Sequence, residues 1–78
     1  MASAYLPERF AGLSAAQRLV WFYVRDSGTA EYSSRSLAQA LELNPHTAAT
    51  ALRVLKKRGL LRELTPASGQ RGATLEAL

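Results

Sequence analysis

"LELNPHTAATALRVLKKRGLL", residues 41–61, is the stretch on which the fold turns. Asn44 is a good N-cap residue, because its side-chain oxygen can accept from a free N–H of the first helical turn. Pro45 follows at the first helical position, where its missing N–H costs nothing. Gly59 stands where the left-handed residue after a helix belongs. These signals predict a helix from 44 to about Arg58, with a basic last turn that suits the helix dipole. Residues advance by about 100° each around such a helix. Ala48, Ala51, Leu52 and Leu55 then share one stripe and face a core. His46, Thr50, Arg53 and Lys57 lie opposite, with Thr47 and Val54 on one flank and Ala49 and Lys56 on the other. The outward face is therefore small and polar at its start and cationic further along.

Upstream of this stretch, Ser33 or Ser34 can cap a helix over roughly 34–42, with Leu37, Ala38 and Leu41 inward. "ELN" makes a tight turn into the next helix. Earlier still, Ser14-x-x-Gln17 fits a capping box, in which each side chain satisfies the other residue's free N–H. That helix ends at Gly28, and its spacing turns Ala16, Leu19, Val20, Tyr23 and Val24 to the core. "AEYSS" (30–34) is short and extended. Downstream, "LLRELT" (60–65) and "ATLEAL" (73–78) alternate apolar and polar residues as half-buried strands do, and "PASGQRG" between them supplies turn residues. Pro7 and Gly12 leave residues 1–12 as a lead, with one domain over 13–78. The expected class is mainly α with a small β-hairpin (α+β): three helices plus a two- or three-stranded sheet.

The 78-residue chain supports one small domain with a modest core. It has no cysteine, which excludes disulfides and thiolate metal sites. The N-terminus has no basic region followed by a long apolar run, so it is not a signal peptide. "LVWFYV" (19–24) falls far short of the roughly 20 residues of a membrane span. A cytoplasmic protein with no membrane partner is expected. The net charge of +4 is unevenly spread. Residues 1–43 balance, whereas 44–72 carry Arg53, Lys56, Lys57, Arg58, Arg62 and Arg71 against Glu63 alone. Such asymmetry points to a polyanionic partner, either nucleic acid or a membrane surface.

The profile of helix 44–58 suits the major groove of B-DNA, which is about 12 Å wide and admits one helix. Small side chains let the backbone approach the groove floor, Arg commonly reads guanine, and lysines near the rim pair with phosphates. At these residues the chain resembles the winged helix-turn-helix domain of bacterial and archaeal transcriptional regulators of the MarR and ArsR type. "LAQALELN" matches the second helix and turn, "PHTAATALRVLKKRGLL" the recognition helix and its exit, and 60–78 the wing. The resemblance implies sequence-specific binding to double-stranded DNA. It carries His46, Thr47, Ala49, Thr50 and Arg53 over as major-groove contacts, and Lys56 and Lys57 as phosphate contacts. Ser33, Ser34 and Arg35 are further phosphate candidates at the start of the second helix, and Arg71 is the wing contact. Val54, apolar where many relatives carry a charge, is expected to pack under the wing.

Other readings stand beside this one. The basic helix end can be a solvated face, and Arg58, nearest the core edge, is the one of the three expected to be structural. Enzymatic use of His46, the single histidine, finds no partner in the spacing, and too few ligands surround it for a metal. No enzyme activity, cofactor or metal is expected. Trp21 and Phe22 lie off the core stripe; they are covered by Tyr5, Leu6 and Phe10 folding back, or form a dimer interface, or the core wraps further round. Regulators of this kind commonly bind near-palindromic sites as homodimers. A replication or partition protein, and a protein-interaction adaptor, use the same fold. RNA ranks lower, since no aromatic-bearing sheet is evident.

Overall fold

The computed structural model describes residues 7–69 and 71–78. A 3-10 turn at Pro7–Arg9 leads into α1 (Ala15–Ser27), β1 (Ala30–Tyr32), α2 (Ser34–Leu41), α3 (Pro45–Lys57), β2 (Leu61–Thr65) and β3 (Ala73–Ala77). The helix starts follow the cap chemistry of the sequence. Ser14 Oγ accepts from Gln17 N at 3.1 Å, and Gln17 Oε1 accepts from Ser14 N at 3.0 Å. Ser33 and Ser36 make the same reciprocal pair, both at 3.0 Å, so Ser33 rather than Ser34 caps α2. Asn44 Oδ1 accepts from His46 N at 2.8 Å with Pro45 at the first helical position. Gly59, at φ +74°, closes α3: its N–H reaches Lys56 O and the next N–H, on Leu60, reaches Leu55 O. That pairing satisfies two carbonyls the helix end would leave open.

The three strands form one antiparallel sheet in the order β1-β3-β2. Tyr32 pairs with Ala73 and Leu61 with Ala77, so β3 joins the short strand before α2 to the hairpin. Leu64 falls in a bulge between Glu63 and Thr65 and is 48% exposed. The core lies between the helices and the sheet. Val20, Trp21, Val24, Leu37, Leu55 and Leu75 are fully buried in it.

The buried arc of α1 differs from its sequence stripe. Leu19 is 44% exposed, while Trp21 is completely buried. Ala16 and Tyr23 are half-buried. Two contacts explain the rotation. Trp21 Nε1 donates to Leu60 O at 2.9 Å, fixing α1 to the exit of α3. Phe10, from the lead, packs edge-on against the Trp21 ring at 5.1 Å. Arg9 and Arg25 set their guanidinium groups over the same ring, at 5.6 and 5.7 Å. Burying an indole with its N–H satisfied outweighs keeping one leucine inside. Trp21 therefore has no surface for a dimer contact, which corrects that expectation for it; Phe22 is half-buried and packs against the core. Phe10 supplies the cover expected of the lead, and the part assigned to Tyr5 and Leu6 lies outside the described residues.

Candidate nucleic-acid interface

The outward face of α3 is set by its inward one. Ala48, Ala51 and Leu55 are fully buried and Leu52 is half-buried, so His46, Arg53 and Lys57 project into solvent. Thr47 and Thr50 are half-buried and Ala49 is exposed. Glu42, in the left-handed conformation at φ 55°, turns the chain out of α2. Leu43 and Asn44 then start α3 directly, which gives the short turn between the two helices.

A groove of about 430 Å³ runs between α3, the start of α2 and the wing. It brings together Ser33, Ser34, Ala49, Arg53, Lys56 and Arg71 from the sequence-derived set. His46, Thr47, Thr50 and Lys57 stay on α3 outside it, and Arg35 is exposed on α2. Leu52 and Lys56 on the groove side show which flank of α3 the wing covers. Val54 is about 160° round the helix from Lys56. It packs against the core on the opposite flank, which corrects the expectation that it lies under the wing.

The six cations of residues 44–72 divide by partner. Lys56 Nζ meets Glu63 Oε1 at 3.1 Å, and Arg71 Nη2 meets Glu31 Oε2 at 2.9 Å. Arg62 pairs with Glu76 across the hairpin. Arg58 donates to the carbonyls of Ala11 and Arg9, so it ties the end of α3 to the lead and is structural. Among the described residues, Arg53 and Lys57 make no ion pair or hydrogen bond through their side chains. The concentrated charge of the sequence is thus largely engaged, and the two unengaged cations share the outward ridge of α3.

Gly72 fixes the wing against this face, a role the sequence does not reveal. A β-carbon there would lie 2.5 Å from Tyr32 O and 3.2 Å from Ser33 N. Only a residue without one allows the wing to press on the junction of β1 and α2. Arg71 precedes Gly72 and Glu31 precedes Tyr32, so the same close approach brings that ion pair together. Among the described residues, no group of three or more His, Asp or Glu stands where a metal ion would be held. None of their helices is long and apolar enough to cross a membrane.

Three helices followed by an antiparallel sheet with a C-terminal hairpin make a winged-helix-like topology. No protein-family model matches the chain, and no curated protein is detectably similar to it.

Proposed function

We propose that the domain binds double-stranded DNA, with α3 in the major groove and the wing alongside, as a sequence-specific transcriptional regulator. The observation that carries this reading is the outward ridge of α3, where Arg53 and Lys57 stand exposed without intramolecular partners. With 13 residues, α3 is about 20 Å long, enough to reach base edges with its first turns and the groove walls with its last. His46, Thr47, Ala49, Thr50 and Arg53 face the bases in this arrangement. Lys57, Lys56, Ser33, Ser34 and Arg35 face phosphates, and Arg71 meets the backbone from the wing. A homodimer on a near-palindromic site belongs to the same proposal, and selection of bound sequences from random duplex tests it directly.

Titration of labelled duplex at two salt concentrations tests the reading. If two to four cations neutralise phosphates, affinity falls about 10- to 150-fold between 50 and 200 mM salt. Arg53→Ala then costs about 1–3 kcal/mol and relaxes preference at one base pair, whereas Lys57→Ala weakens all duplexes and flattens the salt slope by about one unit. Salt-insensitive behaviour at low ionic strength refutes it. A protein-interaction adaptor is the second reading, favoured by the internal pairing of Lys56, Arg62 and Arg71. It predicts no duplex binding in the same titration.

A further inference from the structure

The face proposed to meet DNA carries one carboxylate in its groove, Glu63, and a second, Glu31, reaches Arg71 at the groove's rim from the other side of the sheet; both have the wrong charge for that partner. Neither is scattered surface charge. Glu63 is opposite Leu75 in the sheet, and Leu75 is buried, so Glu63 is on the side of the hairpin that faces α3 and meets Lys56 there. Glu31 is held beside Arg71 by the contact of Gly72 with Tyr32. Lys56, Arg71 and Glu63 all line the groove. A carboxylate at about 3 Å from a cation occupies the place a phosphate oxygen would take.

We propose that Glu31 and Glu63 are built-in competitors for phosphate: they hold Arg71 and Lys56 in intramolecular pairs, and a DNA backbone must displace them. The inference rests on the DNA reading above. Its consequence is a division of labour among the cations. Backbone attraction through Lys56 and Arg71 is weakened on every duplex, while Arg53 and Lys57, which have no carboxylate to displace, keep theirs. Binding then leans more on α3 and less on the wing than the count of basic residues implies.

The test compares the wild type with Glu31→Gln, Glu63→Gln and the double variant on a labelled random duplex at 50 and 200 mM salt. Exposed pairs are each worth about 1.4- to 5-fold in an equilibrium constant. Each single variant is therefore expected to bind about 1.4- to 5-fold tighter at the lower salt, and the double variant more tightly than either. The salt slope steepens by about 0.9 for each cation released to phosphate. Arg71→Ala placed in the Glu31→Gln variant erases the gain of that variant. Glu76→Gln removes the same charge from a pair outside the groove and gives a smaller gain. Thermal unfolding by circular dichroism checks that each variant is folded, as expected for changes at exposed pairs. If the wild type binds and the double variant binds no tighter, or Glu76→Gln matches it, the competition is overturned and the DNA reading stands. If neither wild type nor double variant shows salt-sensitive binding, both fall.

Discussion

Replacing Gly72 by alanine tests how the wing is held. The added β-carbon would sit 2.5 Å from the Tyr32 carbonyl oxygen and 2.7 Å from its carbon. Non-bonded heavy atoms attract best at about 3.5–4.0 Å, so roughly 1 Å of separation must be recovered. Both atoms struck are backbone, and no rotamer change relieves them. The wing has to move off β1, at the expense of the Tyr32–Ala73 pairing and of the approach to Ser33, the cap of α2. Overpacking costs about 1–3 kcal/mol, and a backbone clash belongs at about 3. A domain of this size loses about 4–8 °C of Tm per kcal/mol, which gives a fall of about 12–24 °C. Thermal unfolding followed by circular dichroism reads this directly. Gly69→Ala is the control: its φ of +58° is unfavourable for alanine, but nothing lies within 4 Å of its β-carbon position. It should cost only about 1–2 kcal/mol. A Gly72→Ala protein melting within about 3 °C of wild type, near the low edge of a 1 kcal/mol effect, refutes the reasoning.

Trp21→Phe removes one of the two donors to the Leu60 carbonyl, leaving Leu78 N–H, and opens a cavity, so unfolding free energy drops by about 1–3 kcal/mol in denaturant titration. Arg58→Ala removes two hydrogen bonds to the lead and costs about 1 kcal/mol of stability, with duplex affinity unchanged. Lys57→Ala shows the reverse pattern, weaker duplex binding at an unchanged Tm. Burial pushes the Tyr32 phenol above its ordinary value, and Tyr32 Oη donates to the Gly28 carbonyl. Its neutral form is favoured in the folded state, so this stability is complete below the unfolded pKa of about 10 and is lost as pH rises through the higher folded value. Tyr32→Phe should abolish that decline in urea titrations above about pH 10.

The parts legible in the sequence are those governed by neighbours along the chain. Ser14 with Gln17, Asn44 before Pro45, and Gly59 after α3 each act within a few residues, and each cap stands where its residues place it. The stripe of Ala48, Ala51 and Leu55 is equally local, since a helix repeats every turn. Arg58 was readable as structural from its angle on α3, though the carbonyls it meets are 47 and 49 residues away. What escaped the sequence depends on distances across the fold. Trp21 turned inward because Leu60 O and Phe10 happen to lie on its side of α1. Glu31 meets Arg71 over 40 residues, so the charge of the basic half could be summed but not apportioned. Gly72 looks like any turn glycine until Tyr32 is placed beside it.

In the proposed function the outward ridge of α3, with Arg53 and Lys57, grips duplex DNA. Affinity of the wild-type domain for a labelled duplex at 50 and 200 mM salt tests it most directly, with Arg53→Ala/Lys57→Ala measured beside it. The account predicts binding that weakens about 10- to 150-fold across that range and a double variant with a flatter salt dependence and lower affinity. A wild-type protein that ignores the duplex at 50 mM salt, or a double variant that binds as well as wild type, contradicts it.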